Sequence, residues 1–376
     1  MERTVSAIVT DGDRCVGSLG PFAVAVPWWA EVEPVVDRLR ESLGVPAYVL
    51  RLLRVDGGDG ARDGHVTYHV EAPGTAAVLP AATLVTYDEP LRSPWASAAG
   101  LRELFDWARD NVRVTGPVEQ RKTWNLAGLF RLPTADGPVW LKATPGFAAD
   151  EARVIAAFAA VDPTLVPTVL AAAPGRMLLA DLPGEDGWDA PEAVLANGIH
   201  RFVRAQSALD TRPSWLTARD DMGDEVRALL TRDLGLTAEE VAAAHALLPR
   251  WAELADCGLP NTIVHGDFHS GNWRGEPPVI LDFADAHFGN PVIDGLRVMD
   301  FLATPAKKAA ARAAWIEAWR QARPESDPAR ALAVAEPLAH LYYAVRYQEF
   351  LDGIEESEQI YHRGDPASSV RAALGI

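Results

Sequence analysis

The sequence predicts an α+β protein, strand-rich in its first half and helical in its second, with a small α+β domain at the front. Three observations lead there. Up to about residue 182 the apolar residues fall in short alternating runs bounded by Gly, Pro and Asp, the pattern of half-buried strands. From about 190 to 356 they recur at helical spacing over long stretches. Between the two patterns stands a Pro183-Gly184 step, which ends the first and suits a hinge.

Residues 1–100 read as a unit of their own. Short strands are expected at 6–9 and 22–26. Trp28, Trp29, Val32, Val35, Val36, Leu39 and Leu43 then follow at helical spacing, with Gly44 as a stop. Residues 48–55 and 65–71 read as two strands joined by the Gly-rich turn 56–64, and 84–87 as a further strand. No catalytic constellation is visible in this stretch. The segments 123–132 and 137–143 predict a hairpin around Thr134-Ala135-Asp136-Gly137, followed by a helix over 147–161 and strands at 169–173 and 177–182. This strand-rich lobe is expected to span 101–184, and the helical lobe 185–376, with helices near 190–208, 236–255, 292–303, 306–322 and 328–356.

Composition sets the outer limits. The chain has 376 residues, enough for two or three domains, and its 48% hydrophobic and 23% charged shares are ordinary for a globular protein. A formal net charge of −17 disfavours nucleic acid and anionic membranes as partners. Cys15 and Cys257 lie far apart, outside any cluster, which excludes a disulfide framework or a structural zinc site. The longest apolar run, 22–30, is nine residues and contains Pro27, so no membrane span or signal peptide is expected and the cytoplasm is the default location. Lysine is scarce: Lys122, Lys142, Lys307 and Lys308 are all there are.

The chemistry concentrates in residues 265–285. His265-Gly266-Asp267-Phe268-His269-Ser270-Gly271-Asn272 places Asp267 and Asn272 five apart, and Asp282 follows ten later on an apolar run. Phosphoryl transfer needs a carboxylate to orient and finally accept the proton of an attacking hydroxyl, and oxygen ligands for a hard cation. These residue types in this order supply both. Lys142, inside the apolar run Val139-Trp140-Leu141-Lys142-Ala143, needs compensating anions if buried; triphosphate oxygens and the nearby Glu151 would provide them.

Together with Leu281-Asp282-Phe283 and Gly289-Asn290-Pro291-Val292-Ile293-Asp294, these segments resemble the aminoglycoside phosphotransferase and choline kinase-like family, relatives of the protein kinases in fold. The resemblance covers roughly 117–356 and implies a two-lobed protein-kinase-like fold, with a β-rich N-lobe and a helical C-lobe. It implies Asp267 as catalytic base, Asn272 and Asp282 as ligands of Mg2+, and Lys142 paired with Glu151 on the phosphates of ATP or GTP. His265 and Asp294 are expected to brace the loop. Asn125, in the turn where a phosphate-covering loop belongs, and Asp181 and Leu182, at the hinge, complete the nucleotide side. No Gly-x-Gly-x-x-Gly is present, and the interval from Asp267 to Asp282 is a few residues tighter than the family pattern, so the intervening hairpin must be short.

The acceptor would be a small molecule bearing a hydroxyl: an aminoglycoside, amino sugar or sugar, cationic ones included. Candidate residues are Glu185 and Asp186 just past the hinge, and Tyr347, Glu355 and Glu358 in the acidic, aromatic stretch 342–362. The extra N-terminal domain resembles the cap of maltokinase-like sugar kinases. The alternative is a catalytically silent kinase-like binding or regulatory protein; the joint presence of Asp267, Asn272, Asp282, Lys142 and Glu151 weighs against it. Oligomeric state is not legible.

Overall fold

The computed structural model describes residues 3–84 and 89–376; the strand expected at 84–87 lies, but for Leu84, outside the described residues. The chain forms two compact units. The first is built from Met1–Phe147, Val169–Asp181 and Phe350–Arg363, the second from Ala148–Thr168, Leu182–Glu349 and Gly364–Ile376.

The first unit opens with a four-stranded sheet of β1 (Arg3–Asp11), β2 (Arg14–Val24), β3 (Tyr48–Asp56) and β4 (His65–Glu71), in the order β2-β1-β4-β3. β1 and β4 run parallel, the other pairs antiparallel. α1 (Glu33–Leu43) lays Val35, Val36, Leu39 and Leu43 on this sheet. Trp28 and Trp29 precede the helix instead of forming its first turn. Pro34 sets the start, since its missing N–H is tolerated only in an opening turn, and the left-handed Gly44 closes the other end.

α2 (Ala98–Asn111) leads into a second, fully antiparallel sheet. Its strands are β5 (Glu119–Trp124), β6 (Ala127–Thr134), β7 (Gly137–Ala143), β8 (Val169–Ala173) and β9 (Arg176–Ala180), ordered β5-β6-β7-β9-β8. The stretch 123–132 is thus not one strand, because the chain turns between Trp124 and Ala127.

β3 explains why both sheets fall in one unit. It is buried on both faces: Val49 and Leu52 enter the core under α1, whereas Tyr48 and Leu50 join Leu101, Leu104, Phe105, Phe130 and Leu141 in the core under α2. A boundary near residue 100 would cut through this second core, so the compact units differ from the expected three-part division.

In the second unit, α3 (Glu151–Val161) begins four residues later than predicted, where the Asp150 side chain accepts the Arg153 amide as an N-cap. α4 (Glu192–Ser207), β10 (Ala218–Arg219) and α5 (Gly223–Leu230) follow. The helix expected over 236–255 is two, α6 (Ala238–Leu247) and α7 (Arg250–Ala255), with Pro249 between them. β11 (Thr262–Val264), the two-residue strands β12 (Trp273–Arg274) and β13 (Val279–Ile280), and β14 (His287–Gly289) frame the motif. α8 (Val292–Asp300), α9 (Pro305–Ala322), α10 (Pro328–Gly353) and α11 (Asp365–Leu374) complete the chain. Pro337 sits inside α10 and cannot donate to the Ala333 carbonyl; Arg250 donates to it instead, at 3.3 Å. Among the described residues no helix is long and apolar enough to cross a membrane.

Candidate active site

β11 delivers His265 to the start of a loop whose floor is aromatic. Phe202 and Phe268 stack at 4.2 Å, Phe158 stacks on Phe202 at 5.1 Å, and Phe283 lies 4.6 Å from the His265 ring. His265 is fully buried and bridges the site's two halves. Its Nδ1 accepts the Asp267 amide at 3.2 Å, which leaves Nε2 to donate to the Leu281 carbonyl at 2.9 Å. Burial holds the imidazole below its usual pKa, in keeping with a neutral brace. Gly266 adopts φ +85°, and a Cβ there would meet the Asp285 carbonyl oxygen at 2.4 Å, so only glycine fits.

α8 caps this loop with two residues one turn apart. Asp294, fully buried, accepts the His265 amide at 2.8 Å, the Gly266 amide at 3.0 Å and Gln206 Nε2 at 2.8 Å. Burial pushes its carboxyl up to about 7, against the pull of those three donors. Arg297 then reaches the motif aspartate itself, its Nε donating to Asp267 Oδ1 at 2.7 Å. The guanidinium is packed over the rings of Phe301, at 4.5 Å, and Tyr343, at 4.6 Å. The Tyr343 hydroxyl in turn donates to the Gly266 carbonyl at 3.2 Å.

The other carboxylate oxygen of Asp267 faces the loop. Asn272 Nδ2 donates to the Asp267 backbone carbonyl at 3.0 Å and to Oδ2 at 3.3 Å. His269 Nδ1 accepts the Gly271 amide at 3.1 Å, so Nε2 carries the proton and lies 3.4 Å from Asp267 Oδ2. Burial alone would raise the Asp267 pKa; the His269 hydrogen bond and the Arg297 charge outweigh it and hold the carboxyl far below the usual range. Asp267 is therefore held as the carboxylate.

Asp282 follows the short hairpin of β12 and β13 and has φ +64°, a left-handed conformation a non-glycine residue adopts only under constraint. The constraint is visible next to it: the Leu281 amide donates to the Asn272 carbonyl at 2.8 Å, which ties the segments carrying Asn272 and Asp282 together. With its amide nitrogen turned to Asp267, Asn272 has its carbonyl oxygen left for a cation. An amide oxygen and a carboxylate are hard donors that suit Mg2+. Among the described residues no group of three or more His, Cys, Asp or Glu is placed to hold a metal ion.

The remaining predicted residues are divided between the two units. Lys142, 8% exposed, sits in β7 of the first unit; Glu151, 5% exposed, opens α3 in the second. Asp181 accepts Trp140 Nε1 at 2.7 Å, and the Leu182 carbonyl accepts Arg274 Nε at 2.8 Å; the boundary between the units falls between these two residues. Asn125 is buried within the first unit, where its backbone amide meets the Glu358 carboxylate.

The acidic stretch 342–362 does not form one cluster. Tyr347 lies in the second unit, its ring tilted against that of Tyr343 at 6.4 Å, but Glu355 and Glu358 belong to the first. Glu355 accepts Arg51 at 2.6 Å and Arg92 at 3.1 Å, and Glu358 accepts the Leu52 amide at 2.7 Å. Both carboxylates are buried and hold the first unit together, which removes them from the substrate candidates. Glu185 and Asp186 are exposed on the segment that carries Trp188. Arg297 and His269 were absent from the sequence-based site. Arg297 had a detectable signal, since it stands one helical turn after Asp294 and must share its face.

A family model for phosphotransferase enzymes, APH, matches residues 130–334. The chain belongs to that family. Solved structures with the same fold include a Thermobifida fusca YX-ER1 protein assigned as a fructosamine-3-kinase (18% identity, 72% of this chain and 98% of that chain covered, TM-score 0.53). Others are a choline/ethanolamine kinase family protein from Mesorhizobium loti (16%, 73% and 95%, 0.53) and choline kinase LicA from Streptococcus pneumoniae (11%, 73% and 99%, 0.55). At these identities they establish the protein-kinase-like fold alone. Comparison with curated proteins finds no match. As an APH-family member the chain is a phosphotransferase acting on a hydroxyl, of the small-molecule kinase type.

Proposed function

We propose that this APH-family chain moves the γ-phosphoryl group of ATP or GTP to a hydroxyl of an aminoglycoside, amino sugar or sugar, with Asp267 as the catalytic base. The observation that carries this reading is the treatment of Asp267. Two elements converge to fix one ionised carboxylate: the loop, through His269 and the Asn272 amide with His265 holding the Asp267 backbone, and α8 through Arg297.

A carboxylate held so far below the usual range is a weak base, so alignment is its main work. It accepts a hydrogen bond from the acceptor hydroxyl and points the oxygen at the γ-phosphorus. As the new O–P bond forms and the bond to the bridging oxygen breaks, the nucleoside diphosphate leaves with that electron pair and the hydroxyl proton passes late to Asp267. Asn272 and Asp282 are the residues that would hold Mg2+, whose contribution when bound is charge neutralisation on the phosphates. Lys142, buried in an apolar strand, fits an ammonium answered by phosphate oxygens.

The test is release of nucleoside diphosphate with Mg2+ and ATP over a panel of hydroxylated acceptors, comparing the wild type with Asp267→Asn. Acceptor-dependent turnover that falls about 100-fold or more in the variant, at unchanged ATP affinity, supports the reading. Equal turnover by both proteins would remove Asp267 from the mechanism.

A further inference from the structure

The aromatic side chains around Asp267 are not equally available. The Phe301 and Tyr343 rings are covered by the Arg297 guanidinium, at 4.5 and 4.6 Å. The inner face of Trp188 is stacked on His269, with ring centroids 5.1 Å apart and planes 30° off parallel. The outer face of Trp188 is left to solvent, the residue being 47% exposed. Phe301, 42% exposed, stands nearly perpendicular to it, 5.9 Å away at 76°. The two rings make an open corner, connected to Asp267 Oδ2 through the His269 Nε2 contact of 3.4 Å.

This corner is held in place from several directions. The Trp188 amide donates to Asp186 Oδ1 at 3.3 Å, Gly187 donates to the Trp273 carbonyl at 3.0 Å, and Lys307 Nζ donates to the Asp189 carbonyl at 3.1 Å. The catalytic loop makes room for the indole: a Cβ on Gly271 would come within 2.3 Å of the Trp188 ring. An indole half open to water, yet fixed against the loop that carries the base, is an unusual use of a large apolar side chain.

Resting on the kinase reading, we infer that Trp188 and Phe301 form the acceptor subsite, and that it takes an uncharged, hydroxyl-bearing saturated ring, a neutral sugar, stacked on the outer face of Trp188. A ring with one apolar face and a rim of hydroxyls matches a single broad aromatic wall beside a hydrogen-bonding carboxylate. A quaternary ammonium needs several aromatic faces converging on one point, and two of the candidates already serve Arg297. The same guanidinium opposes a polyamine acceptor at the place where the reacting hydroxyl must meet Asp267. Asp300, 3.6 Å from Arg297, offsets part of that charge but is already engaged with it.

The test is saturation-transfer NMR on the full chain with methyl hexopyranosides and maltose as neutral probes, kanamycin as the polycation and choline as the acyclic cation. Wild type, Trp188→Ala and Trp188→Phe are compared. The expected result is binding of a neutral glycoside in preference to kanamycin and choline, weakened about tenfold by Trp188→Ala and partly restored by Trp188→Phe. Tighter binding of kanamycin or choline than of every neutral probe, no neutral probe bound, or unchanged binding by Trp188→Ala in a protein of native circular dichroism would each overturn it. Turnover with ATP, measured separately, distinguishes this failure from failure of the kinase reading. Bound glycoside that is never phosphorylated defeats the latter alone, and phosphorylated kanamycin defeats only the neutral-ring subsite.

Discussion

Both oxygens of Asp267 are engaged, Oδ1 by Arg297 at 2.7 Å and Oδ2 by Asn272 at 3.3 Å and His269 at 3.4 Å. A base confined in this way gains orientation at the expense of proton affinity. Arg297→Met is therefore expected to lower kcat by about 10- to 100-fold through misplacement of the carboxylate, with the ATP dissociation constant unchanged. Single-turnover rates alongside equilibrium ATP binding check this, and a variant with wild-type kcat would show that Arg297 does not position the base. Asp267, Asn272, Asp282 and the bracing His265 were all legible in the sequence because loop chemistry fixes their spacing. Arg297 was marked only by its place one helical turn after Asp294; its contact with Asp267, 30 residues earlier, is tertiary and no local pattern records it.

At the scale of elements, α8 does most to order the catalytic loop. Asp294→Ala strands the buried His265 and Gly266 amides and frees Gln206, which should cost about 2–4 kcal/mol of unfolding free energy. Chemical denaturation measures it, and a loss below about 0.5 kcal/mol would show that those amides find other partners. The sequence located α8, α9 and α10 well because their apolar spacing is long and regular. It missed α2, although Ser97 accepts the Gly100 amide as an N-cap and Leu101, Leu104, Phe105 and Ala108 mark one face. It merged α6 and α7, whose shared hydrophobic spacing conceals the interruption that Pro249 imposes. The two-residue strands of the hairpin were readable only as a constraint on length, since two residues show no period.

For the molecule as a whole, chain order and compact units do not coincide. The first unit depends on residues 350–363: Tyr361 packs edge-on against Trp29 at 5.6 Å, and Glu355 and Glu358 answer Arg51 and the Leu52 amide. A chain ending at residue 349 should therefore lose the cooperative unfolding of the β1–β4 sheet, seen as rapid amide exchange in those strands; native-like protection there would contradict the assignment.

Glu358 also leaves a mark on pH dependence. Burial raises its pKa from 4.5 to about 8, so the native state retains a proton that the unfolded chain releases. Its contribution is complete below about pH 4.5 and is lost as pH rises toward about 8. Glu358→Gln keeps the acceptor for the Leu52 amide without the charge, and its Tm should exceed that of the wild type by an amount that grows between about pH 5 and 8. A constant difference across that range would be inconsistent with a buried titrating acid. His69 and His287, each pushed down to about 3 by burial, act in the opposite sense, their contribution being present above about 6.5 and lost as pH falls toward about 3.

The central claim is phosphoryl transfer aligned by Asp267, and 31P NMR of ATP with Mg2+, enzyme and a mixture of neutral and amino sugars measures it most directly. A new phosphomonoester resonance that grows with ADP, requires an acceptor and disappears in Asp267→Asn is the predicted result. ATP left intact with every acceptor, or a phosphomonoester formed equally by Asp267→Asn, would contradict it.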